Sequence, residues 1–363
     1  MGRVEGKRAL VTGAARGQGR HHAVRLAEEG ADVVLLDICA DIPGVGYPMA
    51  TAEDLDETVR LVEKFDRQAV AAVVDVRDRA ALGQAISAAA ETLGGLDVVV
   101  ANAGICPIGP DFPVTAFAVA VDVDLVGVVN TIHAALPFVS AGGSIIATGS
   151  VAAMLPDAVN NPGNGPGGAG YGLAKQFIAD YVVVLARQLA AQRIRVNAVH
   201  PTNCNTDMLH SPPMYKAFRK DLAEPTRADA EEAALDAADD LQRHELHPGL
   251  AGAERALGLE VDVAIEALLE VVAGGDVEVG DDARGGVAAV AEGLGQRDDL
   301  VGEHGGLRHH AVVRGVAAAQ ERREARARPR GVGEVLVVAH GVAREGVEVG
   351  RLAFGVAVAW ERV

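Results

Sequence analysis

The chain of 363 residues is poor in aromatic side chains, at 3%, and short of positive charge. Its 33 Lys and Arg stand against 50 Asp and Glu, a formal net charge of −17. A surface with that balance repels phosphate backbones, so nucleic acid is excluded as an expected partner. The Arg-rich "ERREARARPR" is interrupted by acids and reads as a solvated stretch. Cysteine is scarce too. Cys39, Cys106 and Cys204 lie far apart, which suits free thiols in a reducing cytoplasm rather than disulfides or a thiolate metal site. No run of about 18 apolar residues suggests a membrane span. "MGRVEGKRALVTG" enters a strand pattern with no leader signature. The histidines of "RHELHP", His244 and His247, lack the HExxH spacing, and no metal site is expected.

One further absence divides the chain. Residues 227–363 contain no Ser, Thr, Asn, Lys, Tyr, Cys or Met. They consist almost wholly of the amino acids whose codons begin with G or C, apart from Ile265, Phe354 and Trp360. A slipped reading frame in a GC-rich gene produces this composition, because the third codon position is then read first. Out-of-frame translation from between Thr226 and Leu235 is the expected cause. A low-complexity tail or a second domain is the alternative, and the nucleotide sequence in the other frames separates them. The expected division is a folded domain over 1–233, without its final strand and helix, and an atypical disordered or out-of-frame tail over 234–363.

Up to about residue 200, β-branched runs alternate with amphipathic ones. "RALVTG", "ADVVLLD", "AVAAVVD", "LDVVVANAG", "GGSIIATGS" and "IRVNAVHP" read as strands, with helical patterns such as "AEDLDETVRLVEKF" between them. Wholly apolar strands separated by helices predict a doubly wound α/β (Rossmann) fold, a parallel sheet with helices on both faces. Ligands of such folds bind at the carboxyl ends of the strands.

"ALVTGAARGQGRHHAVRLAEEGADVVLLD" joins strand, glycine-rich turn, helix and strand. Gly13, Gly17 and Gly19 permit a tight turn and close approach of a pyrophosphate to a helix N-terminus. Asp37 ends the second strand, where a carboxylate accepts ribose hydroxyls and repels a 2′-phosphate; NAD is therefore expected over NADP. Arg16 in the turn is the counter-indication, since it can pair with such a phosphate. Further on, Tyr171 precedes Lys175 by four residues in "GAGYGLAKQ". Two neighbours on one helix face is the plain reading. The chemical reading is a phenol whose pKa, ordinarily near ~10, is lowered by an ammonium until it serves as a base.

Three motifs together resemble the short-chain dehydrogenase/reductase family: "TGAARGQG" (Thr12–Gly19), "NAG" (Asn102–Gly104) and "YGLAK" (Tyr171–Lys175). The resemblance covers residues 5 to about 230. It implies cofactor contacts from Gly13, Arg16, Gln18, Gly19 and Asp37, and from Asp75 and Val76 at the adenine. Asn102, Ala103 and Gly104 would lie beneath the ribose, and Pro201 and Thr206 against the nicotinamide; Asn203 stands where the family favours glycine. Tyr171 and Lys175 would be catalytic, at the opening of the helix after the fifth strand, and would also touch the cofactor. Ser150 would be the catalytic serine that positions the substrate oxygen. Asp124 occupies the place of the family's asparagine, which holds a water chain to the lysine. Its charge is expected to blunt the lysine's effect on Tyr171 and slow proton relay.

The long segment after the second strand, with Tyr47, Pro48 and Met49, and the Gly/Pro/Asn-rich loop before Tyr171 resemble the carveol-dehydrogenase-like, mycofactocin-coupled subgroup. That resemblance implies a small hydrophobic alcohol or ketone as substrate, a covered NAD, a mycofactocin-type redox partner and a homo-oligomer. "CPIGPDF" (Cys106–Phe112), the 154–168 loop and Thr206–Phe218 would line the pocket. A non-catalytic dinucleotide-binding protein and an inactive frameshifted product remain the alternatives. No final strand closing the sheet edge is evident after residue 230.

Overall fold

The computed structural model describes residues 2–153, 159–201, 203–230, 332–337, 340–341 and 355–360. The proposed division near 233, the frameshift start after Thr226 and most of the tail, with His244 and His247, fall outside the described residues or at their margin.

Six strands are parallel: β1 (Arg8–Thr12), β2 (Asp32–Asp37), β3 (Ala69–Val73), β4 (Leu96–Ala101), β5 (Val139–Thr148) and β6 (Arg195–Val199). Their order is β3-β2-β1-β4-β5-β6. The order reverses between β1 and β4, which opens a crevice at their carboxyl ends. Side chains alternate across the pleat. Val11, Val33, Leu35, Val98 and Val100 face α1 (Gly17–Glu28) and α2 (Ala52–Glu63). Leu10, Val34, Leu36, Val99 and Ile145 face α3 (Arg79–Leu93), α5 (Val128–Ala135) and α6 (Gly165–Leu189). Each fully buried Leu or Ile on these faces contributes about 1.5–3 kcal/mol.

Three features depart from the sequence expectations. First, α6 begins at Gly165, so Tyr171 lies in its second turn and not at its opening. The Gly- and Pro-rich run reads as loop in the sequence, yet its glycines serve helix packing: a Cβ on Gly167 would stand 2.0 Å from the Pro107 carbonyl oxygen. Second, α4 (Thr115–Val121), a π-helical turn (Asp122–Gly127) and α5 form one helical stretch. Thr115–Phe138 is long and apolar enough to cross a membrane by length and composition. Its buried residues, Ala116, Ala120, Val128 and Ile132 among them, sit within the fold, and it carries a fully buried acid, Asp124. It is a core helix here. Third, β6 is bordered by a two-residue antiparallel strand, β8 (His340–Gly341), so the edge does have a neighbour. β7 (Val332–Val337) and β9 (Gly355–Trp360) pair antiparallel in a separate sheet.

Candidate active site

The crevice is built from the ends of β1, β2, β4, β5 and β6. After β1 the chain turns at Gly13, whose φ of 67° suits glycine. Gly19 admits no side chain, since a Cβ there would lie 1.9 Å from the Gly13 carbonyl oxygen. No side chain caps α1, which leaves its first-turn N–H groups and positive dipole end to an anion. In the same turn, Gln18 buries its Oε1 without a partner. At the end of β2, Asp37 accepts the Ala15 N–H at 2.9 Å and the Cys39 N–H at 3.1 Å, one on each carboxylate oxygen. A carboxylate oxygen has more than one lone pair, so both can still accept ribose hydroxyls. The uncapped turn, the orphaned amide oxygen and this acid together fit a dinucleotide.

Arg16 is engaged elsewhere. Its guanidinium donates to Asp207 Oδ2 (3.1 Å) and to the Pro48 carbonyl (2.6 Å), so protein groups already hold the charge that a 2′-phosphate would need. Asp75 is clamped by Arg77 at 2.6–3.0 Å, and the carbonyl of buried Val76 accepts from Asn130 Nδ2. Asn102 stitches strand ends together: its Nδ2 donates to the Thr12 carbonyl, while the N–H groups of Asn102 and Ala103 donate to Thr12 Oγ1. Gly104 faces Asp124 and Lys175; a Cβ there would meet Asp124 Oδ1 at 2.6 Å. The Thr206 side chain lies over Gly17, and the Pro201 carbonyl accepts the Val151 N–H.

The chemical residues converge at its β5–α6 end. The Ser150 side chain, whose Oγ accepts the Ala152 N–H at 3.2 Å, lies near enough to the Tyr171 hydroxyl to favour its phenolate. Its backbone N–H lies 3.2 Å from Nδ1 of His200, a buried residue on the loop after β6. Lys175 is 3% exposed. Its Nζ donates to the Thr148 carbonyl at 2.9 Å, lies 3.4 Å from Asp124 Oδ1 and stands 5.5 Å from the centre of the Tyr171 ring. The π-helical turn delivers Asp124 to this point, completely buried. Its Oδ1 accepts the Ile105 N–H at 3.1 Å and its Oδ2 has no partner.

Electrostatics correct one expectation. Burial lifts the Asp124 carboxyl to about 6, against the pull of Lys175. The Tyr171 phenol is not lowered. Burial first, then Cys106, Asp124 and Tyr47, push it well above its ordinary value, and among these neighbours only Ser150 opposes them. The ammonium faces Thr148 and Asp124, so its field at the phenol is offset by the carboxylate beside it.

Two contributors were not expected from the sequence. His200 has no motif of its own, and the Thr148 carbonyl that holds Lys175 has no side-chain signature at all. Tyr47 was noted in the inserted segment but could not be placed. It is buried, and its hydroxyl oxygen accepts the Cys106 N–H at 3.0 Å.

Known proteins resemble this chain in sequence and fold. The short chain dehydrogenase family profile matches residues 7–214. (−)-trans-Carveol dehydrogenase of Rhodococcus erythropolis is 43% identical over 240 residues, which are 64% of this chain and 84% of that protein. The structure of a carveol dehydrogenase from Mycobacterium avium in complex with NAD superposes with a TM-score of 0.65 at 37% identity, covering 75% of this chain and 92% of that one. A short chain dehydrogenase from Mycobacterium paratuberculosis bound to NAD gives 0.58 at 34% identity with the same coverage. With the glycine turn, the Asn102 stitch and the Ser150–Tyr171–Lys175 cluster in one crevice, the chain belongs to the short-chain dehydrogenase family.

Proposed function

We propose that the protein is an NAD-dependent oxidoreductase that interconverts a small hydrophobic secondary alcohol, of terpene-alcohol type, and its ketone. The observation that carries this reading is the Lys175 ammonium 5.5 Å from the centre of the Tyr171 ring, with Ser150 near enough to act on the phenol. NAD supplies the hydride acceptor when bound. The chain's residues do the rest. Ser150 donates a hydrogen bond to the substrate oxygen and fixes its place, and Tyr171 takes the hydroxyl proton or returns it to the ketone. Lys175 orders the ribose and supplies positive charge. The turn at Gly13–Gly19 holds the pyrophosphate, Asp37 the adenosine ribose, Asp75 and Val76 the adenine, and Pro201 and Thr206 the nicotinamide side.

Met208, Leu209, Met214, Tyr215 and Phe218 support an apolar substrate pocket. Arg16, held between Pro48 and Asp207, supports an NAD that stays covered and is reoxidised in place by a mycofactocin-type partner. The exposed Leu173, Phe177 and Val184 on α6 support a homo-oligomer. Free Cys39, Cys106 and Cys204 are in keeping with a cytoplasmic location. The competing reading, an inactive product of a shifted frame, is favoured by a family match that stops at residue 214 and by the composition beyond Thr226. Mass spectrometry of the native product, read with the gene's nucleotides, separates the two.

The expected result with purified full-length protein is reduction of NAD, and not NADP, on addition of a cyclic secondary alcohol. Asp37→Ala should narrow the preference for NAD at least about tenfold by removing the ribose acceptor and the repulsion of a 2′-phosphate. Equal use of both cofactors by the unaltered protein would refute the assignment to Asp37.

A further inference from the structure

The segment between β2 and α2 does more than cross the nucleotide crevice. It leaves β2 at Asp37 and is tied to itself where the Met49 N–H donates to Asp41 Oδ1 at 2.8 Å. It ends in a capping box, Thr51 with Asp54, that fixes its entry into α2. Between these ties it meets the two loops expected to bind substrate. The Tyr47 oxygen accepts the N–H of Cys106, in the loop after β4. Gly46 sits in the corner between Phe112 of that loop and Pro213 of α7 (Pro212–Phe218); a Cβ there would stand 2.7 Å from each. Three chain segments thus close on one point.

We propose that this segment is a wall of the substrate pocket and that Tyr47 is a specificity-determining, positioning residue for the alcohol. The inference rests on the alcohol-dehydrogenase reading above. Nothing in the cofactor motifs requires a phenol here, and its location argues for a substrate-side role. Tyr47 is buried beside the reacting cluster, close enough for its electrostatics to be felt at Tyr171 and for those of Asp124 and Cys106 to be felt in return. Burial keeps it a neutral phenol, its pKa raised further above the ordinary value. A neutral phenol that accepts one N–H still has its own hydrogen to donate. Tyr47 therefore presents one polar point in a wall otherwise made of Cys106, Phe112 and Pro213. That combination fits a bulky hydrocarbon ring bearing a single oxygen. Ser150, Tyr171 and Lys175 do not depend on it for their own contacts, so its loss should fall chiefly on placement of the substrate.

The test uses the full-length protein loaded with NAD, and Tyr47→Phe with Gly46→Ala. Tyr47→Phe leaves the Cys106 N–H without its acceptor. It should raise KM for a cyclic terpene-type alcohol about tenfold. The kcat should stay within about threefold. Preference for cyclic over short acyclic secondary alcohols should fall. Gly46→Ala pushes against Phe112 and should weaken the cyclic alcohol by about the same factor, and Phe112→Leu in the same chain should restore it. Calorimetric binding of the alcohol to NAD-loaded Tyr171→Phe protein, with and without Tyr47→Phe, reads the same tenfold without turnover. If Tyr47→Phe does not fold, the Gly46→Ala and Phe112→Leu pair carries the test. Unchanged KM, preference and calorimetric affinity in both variants, with Tyr171→Phe inactive, would overturn the inference alone. An active Tyr171→Phe would overturn the reading on which it rests.

Discussion

Tyr171→Phe is expected to lower kcat/KM for the alcohol by about 10³-fold, within the range by which a positioned proton donor or acceptor accelerates a reaction. The loss should fall on kcat. Phenylalanine keeps the ring that packs in α6, so folding and NAD content should be little changed. Ser150 still marks the place of the substrate oxygen, so KM should move little. What disappears is the hydroxyl on which Ser150 acts, on the ring 5.5 Å from the Lys175 ammonium. Steady-state kinetics with the melting temperature as control measures this. Retention of more than about a tenth of the rate would mean that the proton leaves by another route.

Asp124→Asn should have the second largest effect, and it should appear as a pH dependence. Burial pushes the carboxyl of Asp124 up to about 6 in the folded chain, from an ordinary value of ~3.9. The folded state therefore holds this proton more tightly than the unfolded state, and stability falls as pH rises from about 4 to about 6. Two pKa units correspond to about 3 kcal/mol at neutral pH. Asparagine does not titrate and escapes this loss. The variant should match the parent at pH near 4 and exceed it by about 3 kcal/mol at pH 7, read from denaturant midpoints. The same charge raises the Tyr171 phenol, so its removal should shift the pH midpoint of alcohol oxidation downward and speed the reaction at neutral pH. Identical pH profiles for parent and variant would show that Asp124 does not act on Tyr171.

The six parallel strands were legible because each is a short β-branched run, and burial on both faces leaves such runs apolar throughout. The positions of Ser150, Tyr171 and Lys175 were legible from motif spacing. Three things were hidden, each for a physical reason. The start of α6 was obscured because Gly167 and Gly170 are glycines for lack of room beside Pro107 and Phe117, which mimics a loop composition. The direction of the Tyr171 shift is set first by burial and then by Cys106, Asp124 and Tyr47, and spacing along the chain contains none of these. The contact between Tyr47 and Cys106 joins residues 59 apart through a backbone N–H, which leaves no trace in either side chain's identity. The composition beyond Thr226 was legible as unusual from the sequence alone.

The central claim is that Ser150 and Tyr171 together grip the oxygen of an alcohol beside the redox ring of NAD. A crystal structure with NAD and a cyclic ketone or alcohol tests it most directly. The account predicts the ligand oxygen within about 2.6–3.2 Å of both Ser150 Oγ and Tyr171 Oη, with the carbinol carbon facing the nicotinamide. A ligand whose oxygen is held by other residues, with the Tyr171 hydroxyl bonded only to protein, would contradict it.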